Sequence, residues 1–540
     1  MSQAINKPGF IAEEVSAALP SQEARSLAAA RWGICAILFA VLVIWALIFP
    51  YTGDGDSAPH FLNARDSAAT PISAMHAWAR PGIKLVMAPF SVHGIFATRV
   101  LIAVLAALTA WQTMRLAEEL GLRNSLLAGP LIVWQPMAFA LAADTMTEMP
   151  MALGIVTAIR LWRNGWWRTS ALLVGYLPSV RPEGFFLGVL WGAMILFAPA
   201  PVRRRRNLDA QHGASEAWNI LLRISALACL TVGLIAWAAA CWALTFNHDM
   251  FYVLHIWNWP PGSYAAYGKG SLLHHVIRWP IYCGVLLCVV FALGIKPSWR
   301  REMMLPWAVW GIVFGVHSIL YWGGWFASCG IMRIFTCTAP VTALICLYGW
   351  NAAERWLIDR QARLSMKSSR HGWIDHLLRP RTAGIVAGVF LTGNTFVQYL
   401  LDPIHYECFP IARCTDYIHS HQLVGPDTPF FAGNAIATAM LDFPGHAPNV
   451  MEMPCDPEQI RKNLAALPIG AIGVWDNRQA PVWHGHKISD LVGHGFTLLY
   501  ETHAHVAPTI PWLLAGHKYT DLHYVVLRKD APFLEEKAPN

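Results

Sequence analysis

The sequence predicts an α-helical polytopic membrane protein of about eleven transmembrane helices, followed by a C-terminal α/β domain outside the membrane. Three observations carry this. Of the 540 residues, 55% are hydrophobic and only 14% are charged, where a soluble chain is about a quarter charged. Tryptophan is abundant, at 26 residues, and it favours the membrane–water interface. The apolar residues fall in long runs separated by short basic clusters up to residue 401, after which the composition changes. The formal charge of +7 therefore bears on membrane orientation and is no signal for nucleic acid.

Residues 1–32 are polar and mixed in charge, and no small-residue cleavage site follows the first apolar run, so they read as a cytoplasmic N-terminal segment. Spans are expected near 33–50, 95–113, 125–143, 149–163, 169–181, 184–199, 218–245, 276–295, 305–322, 335–351 and 382–401. Those at 149–163, 169–181 and 184–199 are shorter than the roughly 20 residues of a full crossing and read as tilted or half-depth helices. Basic clusters at Arg203–Arg206, at Lys296 with Arg300 and Arg301, and across 351–381 belong on one side together with the N-terminus. The positive-inside rule makes that side cytoplasmic. The multi-span region 33–401 then exposes outer loops 51–94 and 246–275, the short turns at 144–148, 182–183 and 323–334, and the tail 402–540.

The tail has turn residues (Gly425-Pro426, Gly445, Pro448), a helical stretch at Pro457–Leu467 and strand-like runs at Phe430–Phe431, Ile469–Trp475, Phe496–Tyr500 and Tyr524–Leu527. Strands alternating with helix suggest a small α/β domain. Most of the 11 cysteines sit in apolar runs as small hydrophobes. Outside the membrane, a Cys408–Cys414 disulfide is expected, with Cys455 as the competing partner. The tail histidines His484, His486, His494, His503 and His505 show no tight ligand spacing and read as surface or core residues.

Four stretches carry chemistry. "YTGDGDSAPHFLNAR" places Asp54 and Asp56 where the chain leaves the first span, and "ADTMTEMP" brings Glu148 to the same face. These acids suit proton transfer. A solvated turn is the alternative, and the Asp pair could also hold Mg²⁺ or Mn²⁺, although two aspartates alone are a weak metal signal. "SVRPEGFF" places Arg181 and Glu183 between apolar stretches, where charges pair or face a cavity. "SCGIMRIFTCTAP" sets Arg333 at the mouth of a span, as a planar fork suited to phosphate or as a snorkelling side chain. The loop 255–275 is rich in aromatics and glycine with Lys269 and Tyr267, and suits a lid, sugar stacking or an interfacial belt.

Taken together, "GDSAPHFLNAR", "TRVLIAVLAALTAWQTMRLAEELG", "MTEMP", "RPEG" and "MRIFTCTAP" resemble motifs of the GT-C superfamily of polyprenyl-phosphate-sugar-dependent glycosyltransferases, in particular its protein mannosyltransferase and aminoarabinose transferase-like bacterial members. The resemblance is strongest over the first 200 residues. It puts Asp56 on the family's catalytic aspartate and Glu148 on its second acid. Ser57 stands where a further acid follows in the family, and Asp54 is an additional acid upstream.

The resemblance implies an inverting transfer of a hexose or pentose from a polyprenyl phosphate to a glycan, lipid or protein acceptor at the outer face of the cytoplasmic membrane. Asp56 would be the base, with Asp54 and Glu148 assisting. Arg181, Glu183, Arg333, Lys269, His60 and Tyr267 form the substrate-binding set. No cofactor and no metal are expected. The competing class is a transporter or flippase of a lipid-linked sugar. It is disfavoured because no inverted repeat is visible.

Overall fold

The structure, a computed structural model, describes residues 22–49, 56–75, 78–197, 216–252, 268–325, 330–365, 379–400, 407–443, 447, 449–451, 457–483, 485–506 and 520–533. The chain opens with α1 (Gln22–Ile48), α2 (Ser57–Ala69), α3 (Pro81–Ser91) and α4 (Ile95–Glu119). A bent pair follows, α5 (Pro130–Val133) and α6 (Pro136–Ala142), and then α7 (Glu148–Arg163), α8 (Trp167–Tyr176), α9 (Glu183–Phe197) and α10 (Glu216–Leu244). Short α11 (His274–Ile277) and α12 (Trp279–Cys283) lead into α13 (Val285–Ser298), α14 (Met304–Gly323), α15 (Ala339–Ser365) and α16 (Pro380–Leu400).

Helix occupies every apolar run expected to span. Among the described residues, five stretches are long and apolar enough to cross a membrane as one piece: Arg25–Ile48, Ile95–Glu119, Ile220–Leu244, Arg301–Gly323 and Met332–Arg363. The run 125–143 is not one straight span. It bends by 78° between Val133 and Pro136, because Pro136 lacks an amide hydrogen and its ring clashes with a continuing helix. The apolar window of Met332–Arg363 is fully buried, whereas those of Arg25–Ile48 and Ile220–Leu244 are only 17% buried. Thus α15 lies at the centre, and α1 and α10 turn apolar side chains such as Ile37, Leu47 and Ile235 outward, as lipid-facing helices do. The central packing is close. A Cβ on Gly294 of α13 would lie 1.9 Å from the Ile345 carbonyl oxygen, and one on Gly349 of α15 would lie 1.9 Å from that of Val290. Glycine at both positions lets the two backbones touch where lipid supplies no hydrophobic drive for association.

The C-terminal region contains α17 (Cys408–Ser420), β1 (Phe430–Ala432), α18 (Ala435–Met440), β2 (Val450–Met451), α19 (Pro457–Ala466), β3 (Ile472–Asp476), α20 (Gln479–Trp483), β4 (Phe496–Val506) and β5 (Thr520–Lys529). The sheet order is β2-β1-β3-β5-β4. Strand β1 runs parallel to β2 and β3, and β5 runs antiparallel to β3 and β4. One face packs Leu522, Tyr524 and Val526 on Ile411, Cys414 and Ile418 of α17 and on Ala58, Phe61 and Leu62 of α2. The other packs Phe431, Trp475 and Val525 on Ile460 and Leu464 of α19. Helix α2 is thereby shared between the helical body and the sheet. Its Arg65 reinforces the junction by donating to Asp442 at 2.7 Å and to the Phe443 carbonyl.

The expected Cys408–Cys414 disulfide does not form: both thiols are free and buried. They occupy one helix six positions apart, which separates them by about 9 Å along the axis, beyond the reach of a disulfide. Cys455, His484 and Arg203–Arg206 lie outside the described residues.

Candidate active site

Asp56 stands at the N-cap position of α2, where the helix dipole favours a negative charge. It pairs with Arg333, which sits in a 3₁₀ segment, Met332–Thr338, just before α15. Arg333 Nε also lies 3.6 Å from Glu148 Oε1. Glu148 is not the residue of a solvated turn. It opens α7 and is fully buried, where its charge needs partners. Arg181 Nη1 supplies one at 2.6 Å. Arg181 also forks onto Glu183, with Nε–Oε2 at 3.1 Å and Nη2–Oε1 at 3.0 Å. His317 of α14 closes the chain at 3.2 Å from Glu183 Oε1. Asp56, Arg333, Glu148, Arg181 and Glu183, read from four separate stretches of sequence, therefore form one continuous line of alternating charge.

The break before α9 places the Arg181–Glu183 fork. Pro182 prevents the preceding turn from continuing, and Gly184 lets the chain fold back, since a Cβ there would lie 2.3 Å from Pro178 N. The loop before α7 is equally fixed. Thr145 Oγ1 donates to the Ser57 carbonyl at 2.7 Å, and buried Arg99 of α4 donates to the Ala143 carbonyl as well as to Phe49 O at 2.5 Å. These bonds register the exit of α1, the start of α2 and the start of α7 against one another.

Two cations that sequence reading did not single out complete the cluster. Arg80 donates to His60 Nε2 at 3.1 Å and to Thr147 Oγ1, and Thr147 Oγ1 also accepts from Arg181 at 2.9 Å. Arg80 has φ 63°, in the left-handed region, a strained conformation that surrounding structure must hold. Lys84 is fully buried and donates to the His60 carbonyl at 2.8 Å. Among the described residues it has no carboxylate partner within ion-pair distance. A signal for both was present: Arg80 and Lys84 are basic residues in a loop that the charge rule assigns to the side opposite the basic clusters.

His60 stacks on Trp78, with ring centroids 4.9 Å apart. Because Arg80 donates to its Nε2, a neutral His60 carries its proton on Nδ1, a buried atom without a hydrogen-bond partner among the described residues. Burial, followed by the charges of Lys84 and Arg80, holds His60 well below the usual histidine range and so keeps it neutral. Burial and then Arg80 likewise push Lys84 down. Burial and then Arg181 lower Arg80 to about 10, which leaves it charged at neutral pH. For Asp56, burial pushes the carboxyl up, but Arg333, Arg80 and Arg181 outweigh it and hold the group below the usual carboxylate range.

Among the described residues the site sets Arg80, Arg181 and Arg333 against the three carboxylates Asp56, Glu148 and Glu183, with Lys84 buried beside His60. Its accessible edge is Asp56, whose side chain is 40% exposed, against 9% for Arg333 and 0% for Glu148. Lys269 is exposed beside Gly324 and does not join the cluster among the described residues. Asp54 and Tyr267 lie outside the described residues. A cavity of about 1320 Å³ in the C-terminal region, lined in part by Val424, Leu441, Phe443 and Pro468, contains none of these residues.

No family model matches the sequence, and no curated protein is similar to it in sequence. Solved structures are similar in fold. ArnT from Cupriavidus metallidurans in the apo state superposes with a TM-score of 0.54 at 12% identity, covering 94% of this chain and 98% of that one. The same protein bound to undecaprenyl phosphate gives 0.53 at 12% identity, covering 93% and 98%. With its long apolar helices, this likeness makes the chain a multi-pass membrane protein. It has the fold of ArnT, an aminoarabinose transferase of the GT-C family.

Proposed function

We propose that the protein is an inverting glycosyltransferase that moves a hexose or pentose from a polyprenyl phosphate to an acceptor at the outer face of the cytoplasmic membrane. The observation that carries the reading is the Asp56–Arg333–Glu148–Arg181–Glu183 line, with Arg80 joined to it through Thr147, in a chain with the fold of a protein solved bound to undecaprenyl phosphate. In the reaction, the bond between sugar C1 and the lipid phosphate oxygen breaks and a bond from C1 to an acceptor hydroxyl or amine forms. The acceptor proton passes to Asp56. The lipid phosphate departs as an anion, so no acid has to protonate it. Attack opposite the leaving phosphate inverts C1.

Arg333, Arg80 and Lys84 receive the developing phosphate charge. Arg181 is committed to Glu148 and Glu183 and holds the line in place. Arg333 has two claimants: before the donor binds it neutralises Asp56, and the donor phosphate draws it away. The carboxylate released is a stronger base, so Asp56 becomes competent when the donor is bound. Asp54 lies beside this edge in sequence and assists there; Lys269 and Tyr267 contribute to donor binding. The reaction needs no metal at Asp54 and Asp56. The chain crosses the membrane about eleven times, with the N-terminus in the cytoplasm and residues 402–540 outside.

The test is purified protein with radiolabelled undecaprenyl-phosphate hexoses and pentoses and a membrane extract as acceptor source. Loss of label from the lipid is expected. Movement of intact donor across the bilayer without cleavage would instead identify a transporter. Arg333→Ala should weaken donor binding, and Arg333→Lys should restore it only in part, because the ammonium lacks the planar fork. Unchanged donor affinity in Arg333→Ala removes that residue from the site.

A further inference from the structure

We propose that Glu501, His503 and His523 form a zinc-binding site on the β4–β5 strand pair, separate from the Asp56 cluster. The three are brought together by the sheet. Glu501 and His503 are two apart on β4 and so share a face. His523 of β5 is the direct cross-strand partner of His503. Glu501 Oε1 lies 3.2 Å from His503 Nε2 and 2.7 Å from His523 Nε2. The two imidazoles are stacked, 4.2 Å between centroids and 9° from parallel. One ligand atom from each of the three residues lies within 4.8 Å of the others. Ligands about 2.1 Å from a tetrahedral zinc stand about 3.4 Å apart, so the two imidazoles close on an ion by tilting out of their stack, each to bring the metal into its own ring plane.

The ligand set selects the ion. Two imidazoles and one carboxylate suit zinc and disfavour magnesium or calcium, which take oxygen ligands. The scaffold holds His523 firmly. Its backbone N–H donates to Asn477 Oδ1 at 3.0 Å, its carbonyl accepts from Asn477 N at 3.0 Å, and Trp475 packs edge-on against its ring. His503 and Glu501 are exposed enough for an ion to enter, at 48% and 43%. The next pair along this face, His505 and Asp521, is also polar, 3.3 Å apart. This is the face that carries Val525 and Trp475, opposite the one that packs on α2. The ion would pin the edge strand β4 to β5 and take no part in sugar transfer. Spacing along the chain hides the site, because His523 meets His503 only by strand pairing.

The experiment titrates Zn²⁺ alone into chelator-stripped, detergent-solubilised full-length protein. It compares the parent with His503→Gln and His523→Gln, and follows Co²⁺ absorption as a second readout. The parent should bind one more Zn²⁺ ion than either variant, or bind it at least about tenfold more tightly. It should show tetrahedral Co²⁺ bands that both variants lose, and excess Mg²⁺ should not displace the ion. Equal stoichiometry and affinity in all three proteins overturns the proposal, as does displacement by Mg²⁺. His503 is exposed, so His503→Gln is expected to fold, and its unfolding temperature without metal verifies this.

Discussion

Asp56→Asn separates the proposed base from a structural ion pair. Asparagine keeps the side-chain size and a contact to Arg333 but cannot take a proton. Loss of a general base costs about a hundredfold to ten-thousandfold in rate, or roughly 2.7–5.5 kcal/mol in barrier. The folding cost is much smaller. Two charges about 4 Å apart attract by roughly 4 kcal/mol at an effective dielectric of about 20. The Asp56 side chain, however, is 40% exposed, which brings the pair towards the ~0–1 kcal/mol of exposed ion pairs. The unfolding temperature should therefore fall by a few degrees at most. Donor binding should hold or tighten, since Arg333 no longer has to leave a carboxylate. The ~1 kcal/mol released corresponds to about fivefold in Kd. The assay is single-turnover loss of radiolabelled sugar from undecaprenyl phosphate, with donor affinity measured separately. Near-parental turnover in a folded preparation refutes Asp56 as the base. A tenfold or greater loss of donor affinity refutes the competition between Asp56 and phosphate for Arg333.

Four further outcomes are expected. Activity needs ionised Asp56, and in the donor-free protein this carboxyl is held below its usual range; the acid limb of kcat/KM should therefore lie below about pH 3.9, and that of kcat, set by the donor-bound form, should lie higher. The same sign makes the pair's stability present above about pH 3.9 and lost as pH falls through the lowered value, which acid unfolding of the parent against Asp56→Asn would reveal. Arg181→Met leaves buried Glu148 to Arg333 at 3.6 Å and Glu183 to His317 at 3.2 Å; a loss of about 3–5 kcal/mol is expected by thermal unfolding, and an unchanged transition would mean that these partners or water compensate the two acids. Reporter fusions after residues 210 and 420 should report opposite sides of the membrane, and the same side for both would end the eleven-span topology.

The sequence by itself determined the class of this protein. Low charge, long apolar runs and abundant tryptophan admit a membrane interior and little else, and helix occupies each predicted run because an unpaired backbone is too costly in lipid. Asp56, Glu148, Arg181, Glu183 and Arg333 were also legible one by one, since charged residues beside apolar runs are expensive and stand out. Their connection was not, because pattern and spacing describe neighbours along a chain, whereas the line from Asp56 to Glu183 is made by elements that meet only in three dimensions. Arg80 and Lys84 escaped notice, although their side of the membrane marks them, because only packing brings both cations against His60. Cys408 and Cys414 misled for the opposite reason: their closeness in sequence suggested a bridge that the rise of a single helix forbids. His503 and His523 lie far apart in sequence, and only the register of β4 on β5 makes them neighbours.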